Sequence, residues 1–285
     1  MLFIVGLIVV VASCLGGYAA MGGHLDVLWQ PFEFVIIFGV ALGAFVIANP
    51  KAVLIGTIKA LRKVFTGADH RKASYVELLS ILYAVFKLAK TKGDLALESH
   101  IENPRDSAIF QSYPGFMRDS RAVAFLCDYL RLLTLGTANA HEVETVMEAE
   151  VEASHAERLA ISNALQTVAD GLPALGIVAA VLGVIKTMGS ITEPPEVLGH
   201  LIAGALVGTF SGVFAAYGVA APVAKSLENS FISELHYLEC IKAGVIAHMQ
   251  GYAPQVSVEF ARKTLDPNLR PSFEELEGAL DAVTV

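Results

Sequence analysis

DGLPALGIVAAVLGVIKTM, residues 170–188, decides the fold: between Asp170 and Lys186 it carries no charge, and its apolar run approaches the roughly 20 residues a helix needs to cross a bilayer. After a short connection, LGHLIAGALVGTFSGVFAAYGVAAPV, residues 198–223, repeats the pattern. Working outward, residues 2–22 and 34–48 form an earlier apolar pair. The reading is an integral membrane protein with four spans in two pairs around a polar middle.

Composition agrees: 54% of residues are hydrophobic and 17% charged, too apolar for a soluble domain and too charged for membrane throughout. Of 20 Lys and Arg, 14 lie in residues 51–170 and five in 223–285, while the connections 23–33 and 189–197 hold none. The positive-inside rule therefore places both long segments, and both termini, in the cytoplasm. No Lys or Arg precedes the first apolar run, which argues against a cleaved signal peptide despite the lipoprotein-like Val11-Ala12-Ser13-Cys14. Cys14, Cys127 and Cys240 are scattered and read as packing residues rather than a disulfide framework. The net charge of −8 argues against nucleic acid, and against holding anionic lipid through a basic patch.

The polar segments read as helices. Ser74-Tyr75-Val76-Glu77 has capping-box spacing, and Leu78, Leu82, Val85, Phe86 and Ala89 follow at helical intervals, predicting an amphipathic helix to about Glu98. Asn103-Pro104 and Tyr113-Pro114 break the chain before a helix over 119–135 that buries Val123, Leu126, Leu130 and Leu133. Residues 140–170 contain neither Gly nor Pro, so one long helix is expected to run into the third span. Residues 224–250 continue the fourth span as helix until Gly251 and Pro254, and Pro271-Ser272-Phe273-Glu274-Glu275 opens a last short one. No strand-like alternation is present, so the fold class is all-α: a polytopic membrane protein with four transmembrane helices and a large helical cytoplasmic region.

Catalytic and metal signatures are poor. His155-Ala156-Glu157 lacks the Cys pair of a zinc deaminase, and Gly208-Thr209-Phe210-Ser211-Gly212 is not a nucleophile elbow. A Ser211–His200 hydrolase pair competes with simple helix packing by small polar residues. The expectation is no enzyme, no catalytic residue, no metal and no cofactor.

Pro173 and Pro222 each interrupt an apolar helix near its cytoplasmic end, where proline removes a backbone hydrogen bond at a cost of about 3 kcal/mol. They either shape the bundle or form a hinge. A unit charge moved across about 100 mV releases about 2.3 kcal/mol, similar to the energy of rearranging one kinked turn, so ion passage is of the right size to drive such a hinge. Gly204, Gly208 and Gly212 recur every fourth residue and suit close approach by another helix. Thr209 and Tyr217 add hydroxyls to an uncharged stretch, either lining a wet path or bonding locally; Lys186 and His200 flank the outer loop. Proton relays in membranes normally use a carboxylate or imidazole at depth, and here Glu33 and Asp170 stand only at span ends. A second subunit is expected to supply the acid.

At that point the chain resembles the MotA family of flagellar stator subunits, within the MotA/TolQ/ExbB proton-channel superfamily. The likeness rests on Asp170 through Val181, on Val207-Gly208-Thr209-Phe210 to Tyr217-Gly218 and Pro222, and on Ile101-Glu102-Asn103-Pro104 and Tyr113-Pro114. It extends through Gly251-Tyr252-Ala253-Pro254, Val258-Glu259-Phe260 and Arg262-Lys263-Thr264-Leu265 to Arg270-Pro271-Ser272-Phe273. The resemblance implies a proton channel that couples ion flow to torque, built from a pentamer around two copies of MotB, whose transmembrane Asp carries the proton. It implies that Pro173 and Pro222 serve coupling and that Thr209 and Tyr217 face the partner helices.

The family's acidic contact with the rotor protein FliG falls on Glu98, and its basic counterpart, usually Arg, falls on Lys90, with Glu150 a weaker addition. The charge of Lys90 is kept while bidentate geometry is lost. Without the resemblance these are ordinary solvated charges. Sodium-driven relatives place Thr where Ala180 stands, so protons are the expected ion. The implied organisation is spans one and two in 1–49, a cytoplasmic torque-generating segment in 50–169, spans three and four in 170–223, and a cytoplasmic tail in 224–285. The competing readings are a TolQ- or ExbB-like envelope energiser, which usually has three spans and an external N-terminus, and a passive membrane scaffold.

Overall fold

The computed structural model describes residues 2–66, 70–136 and 139–283, and the side chains of all of these except 65 and 66. Among the described residues every regular element is helical. The α-helices are α1 (Leu2–Ala20), α2 (Pro31–Ala48), α3 (Lys51–Thr66), α4 (Lys72–Lys92), α5 (Glu98–Glu102), α6 (Ala108–Gln111), α7 (Pro114–Arg118), α8 (Ser120–Thr134), α9 (Ala140–Met188), α10 (Pro195–Ala215), α11 (Ala221–Met249), α12 (Pro254–Lys263) and α13 (Phe273–Asp281). The chain divides into two compact units: Met1–Gly67 with Glu157–Ser230, and Ala68–Ala156 with Phe231–Val285.

The first unit holds the apolar helices, and four helical stretches are long and apolar enough to cross a membrane: Leu2–Ala20, Leu25–Ala48, Ala140–Met188 and Pro195–Met249. Not one residue of α1 is fully buried within the chain, although one side of it touches α3 and the turn at 216–220, as expected of a helix that leaves its remaining surface to lipid or other subunits. α2 opens on Pro31 at its first turn with Glu33 beside the positive helix end, and buries Ile37 and Ala41 against Leu172, Ala179 and Ala216. Asn49 Nδ2 donates to Phe45 O (2.8 Å) at the end of α2, and Pro50 separates it from α3, a helix the sequence reading did not single out. α9 runs unbroken past Pro173, bearing out the expectation drawn from the Gly- and Pro-free stretch before it.

The second unit is built around α4, and here the sequence expectation needs correction. Every residue from Leu78 to Phe86 is buried, so α4 is a central helix wrapped on all sides rather than an amphipathic one. α6, α7, α12 and α13 all pack on it, which is why its far face is also covered. It begins at Lys72 with Arg71 at the N-cap, Ser74 standing at the third position and accepting from Arg71 N (3.3 Å), so Ser74 is not the cap itself. Glu77 instead accepts from Gly115 N (2.7 Å), tying α4 to α7. The helix stops at Lys92, six residues short of Glu98, because Gly93 adopts φ +87°, a left-handed conformation open to glycine.

Other boundaries follow the expected chemistry. Asp119 caps α8, accepting from Arg121 N and Ala122 N (both 3.1 Å). Ser272 and Glu275 form a capping box on α13, Glu275 N donating to Ser272 Oγ (3.1 Å) and Ser272 N to Glu275 Oε2 (2.7 Å). Arg262 locks the tail: its guanidinium donates to Glu259 through Nε and Nη2 (2.7 Å each) and to Pro271 O through Nη1 (2.8 Å). Cys127 and Cys240 are buried, and burial pushes the Cys127 thiol up to about 12, which suits packing residues.

Candidate functional site: a glycine-lined helix pair

α9 and α10 approach so closely that side chains would collide. A Cβ added to Gly212 would lie 2.6 Å from Leu172 O and 2.8 Å from Gly176 Cα. One added to Gly176 would lie 2.8 Å from Gly208 O and 3.3 Å from Thr209 Cα, and one on Gly208 would stand 3.2 Å from Ala179 Cβ and Ala180 N. Further along, Gly183 faces Ala205, where an added Cβ would come within 2.8 Å of Ala205 Cβ. In lipid there is no hydrophobic gain from helix association, so backbone-to-backbone contact through small residues supplies dispersion instead. Of the glycine triplet, Gly208 and Gly212 make this contact, whereas Gly204 faces the Gln30 side chain.

The candidate residues cluster on this seam unevenly. Pro173 directly follows Leu172, whose carbonyl meets Gly212, and is half-buried. Having no N–H, it leaves the Ala169 carbonyl without a helical donor. Ala180 and Thr209 flank the Gly208 contact and are half-buried. Tyr217 and Pro222 lie elsewhere, at a defect in the fourth span. Residues Ala216–Ala220 form a π-turn, closed by Ala221 N donating to Ala216 O, immediately ahead of Pro222. The proline explains the defect: its ring clashes with the carbonyl four residues back, and a widened turn moves that carbonyl aside. Tyr217 sits in the widened turn and is 66% exposed. Between Asp170 and Lys186, and from Leu201 to Val223, no charged residue occurs.

The second unit carries the charged candidates. Lys90 is exposed in the last turn of α4 and Glu98 is exposed at the start of α5. Glu150 is on α9, also exposed, and accepts from Tyr129 Oη at 2.6 Å, a structural bond the sequence did not reveal. Burial, then this bond and charge, push the Tyr129 phenol upward.

Two buried polar groups escaped the sequence reading because their partners are remote in the chain. His70 stacks on Tyr237 with ring centroids 3.8 Å apart, and its Nε2 lies 3.4 Å from Asp119 Oδ2. Burial alone would raise the Asp119 carboxyl, but His70, the Ala122 amide and Arg121 together bring it down to about 2. Arg121 also pairs with Glu234, which is 7% exposed. His248 stacks on Phe86 (4.5 Å), and its Nδ1 is buried without a hydrogen-bond partner among the described residues. Burial holds its imidazole below the usual range, with Asp94 opposing and Lys90 assisting. Among the described residues no group of His, Cys, Asp and Glu is placed to hold a metal ion.

Four apolar spans, a close-packed helix seam without a carboxylate and a polar helical unit define a multi-pass membrane protein. The chain matches the family models "Motility protein A N-terminal" over residues 4–93 and "MotA/TolQ/ExbB proton channel family" over 120–240. It is 43% identical to Motility protein A of Escherichia coli strain K12, covering 99% of this chain and 96% of that one. It is 35% identical to Chemotaxis protein LafT of Vibrio parahaemolyticus, over 95% of each chain. Its fold matches the Bacillus subtilis flagellar MotAB stator complex (TM-score 0.75, 26% identity, 97% of this chain and 98% of that one) and Campylobacter jejuni MotAB (TM-score 0.78, 23% identity, 95% and 98%). The chain belongs to the motility protein A family of the MotA/TolQ/ExbB proton channels. It is a flagellar-motor stator subunit, a multi-pass protein of the inner membrane, in a family of proton channels rather than a known class of enzyme.

Proposed function

We propose that this chain, with MotB, conducts protons past the α9–α10 seam, MotB supplying the Asp that the spans lack. The observation that carries this is the pairing of whole-length family identity with a close-packed seam free of carboxylates. Protonation of the partner's Asp removes a charge facing the seam. The helices then repack about Pro173 and Pro222, the two positions where a backbone hydrogen bond is already missing. Thr209 and Tyr217 present hydroxyls toward the partner helices, and the methyl of Ala180 offers no oxygen to replace a sodium ion's hydration shell, which favours protons.

The same reading assigns five copies to a ring around two MotB chains, with both termini in the cytoplasm. Residues 1–49 and 170–223 supply the spans, 50–169 the torque-generating segment and 224–285 the tail. Lys90 and Glu98, with Glu150 secondary, meet charged residues of FliG; exposure of all three supports such contact. Torque follows when repacking at the prolines displaces these charges against the rotor.

The test is rotation of tethered cells and proton uptake by vesicles, for the native complex and for Pro173→Ala with Pro222→Ala. Loss of rotation with assembly intact supports the hinge. Normal conduction and rotation with both prolines replaced would sink it.

A further inference from the structure

α3 begins three residues after the second span ends, so its first turn stands where that span leaves the apolar core. Its residues divide into a buried arc and an exposed arc on which apolar and basic side chains interleave. Val53, Thr57, Ala60 and Val64 are buried against the unit, with Gly56 held close to Ile161. The other arc carries Ile55, Ile58 and Leu61, exposed although apolar, Ile58 to 73%. Among them stand Lys51, Lys59 and Arg62, all exposed and without an ion pair among the described residues. No Asp or Glu occurs between Pro50 and Gly67. Net charge for the whole chain is −8, which made a lipid-binding basic patch improbable from composition; locally the charge is wholly positive.

The exposed apolar arc continues into a groove. Ile58 and Leu61 line an open apolar cavity of about 880 Å³ together with Phe45, Leu165 and Phe214. Apolar side chains and cations therefore alternate along one exposed face, the arrangement of a helix lying in the headgroup region. We infer that α3 is a binding site for an anionic phospholipid, its phosphate held by Lys59 and Arg62, which are one turn apart, with Lys51 adding positive charge at the start of the helix and an acyl chain laid along Ile58 and Leu61 into the groove. Charge complementarity selects the occupant: a neighbouring protein helix would satisfy the groove but not three unpaired cations. The inference rests on the membrane placement of α2 and not on the proton path, so its failure leaves that reading untouched.

The test extracts the full-length complex with a neutral detergent from vesicles of equal parts phosphatidylglycerol and phosphatidylcholine, and counts retained lipids by native mass spectrometry. The native complex should retain phosphatidylglycerol preferentially, and K51Q/K59Q/R62Q should lower that preference by about fivefold per charge removed. The control K92Q/K242Q/K263Q, with the same charge change in the other unit, should leave it intact. An unchanged preference in the α3 variant, or an equal loss in the control, overturns the site. Should the variant fail to assemble, the native complex decides: preference lost in high salt supports the site and salt-insensitive retention overturns it. Cross-linking of Lys59 to an acidic segment of a partner subunit, with no phosphatidylglycerol retained, also overturns it.

Discussion

Gly212→Ala should disable this protein although it adds one methyl group. The added carbon would lie 2.6 Å from Leu172 O, where ordinary contact begins near 3.4 Å, so the helices must part by about 0.8 Å. The obstructing atoms are backbone, which no rotamer change can move aside. Overpacking of this kind costs about 1–3 kcal/mol, against which the better helix propensity of Ala returns at most about 1. The displacement falls next to Pro173, so function should suffer more than assembly. Gly176→Ala meets backbone at 2.8 Å and should come second, Gly208→Ala third, its nearest atoms at 3.2 Å. Gly199→Ala has nothing within 4 Å and is the control. The assay restores each variant to a non-motile deletion strain, tracks swimming, and measures the thermal unfolding midpoint of the purified complex. If Gly212→Ala swims and unfolds like Gly199→Ala, the seam is not the tight contact described and the reasoning fails.

Charge reversal at Lys90→Glu or Glu98→Lys should reduce swimming speed while leaving the unfolding midpoint unchanged, since both side chains are exposed; a stability loss would mark them as structural. Arg121→Ala removes the ion pair with the buried Glu234 carboxylate and should cost about 2 kcal/mol in denaturant unfolding, less than the roughly 3–5 of a fully buried pair because Arg121 is partly solvated. His248 is held below its ordinary 6.5, so the unfolded chain takes its proton first and stability falls as pH drops below 6.5; unfolding midpoints should show this, and His248→Phe, which keeps the stack on Phe86, should flatten it. Asp119, depressed from 3.8 to about 2, stabilises fully above 3.8, and its contribution of about 2 kcal/mol disappears as pH falls through about 2; Asp119→Asn should remove that limb of the unfolding curve.

The spans were legible in the sequence because bilayer thickness sets the length of any apolar run that crosses it, whatever surrounds the helix. Helix stops at Gly251 and Pro254, the short helix opening at Pro271–Glu275 and the unbroken run into the third span were legible for a similar reason: they are decided within one or two turns. The glycine spacing announced close approach, but only the fold showed that Gly208 and Gly212 take it up while Gly204 turns to Gln30. Composition could not reveal that α4 is buried all round, since its polar neighbours in sequence gave no hint of the helices that cover its far face. Likewise His70, Tyr237 and Asp119, or Arg121 and Glu234, are brought together by tertiary packing across long stretches of chain, and no local spacing encodes such pairs. The sequence by itself thus determined what chain length and local hydrogen bonding control. The tertiary structure decided which faces are covered and which charges meet, because those depend on elements that the local chain does not contain.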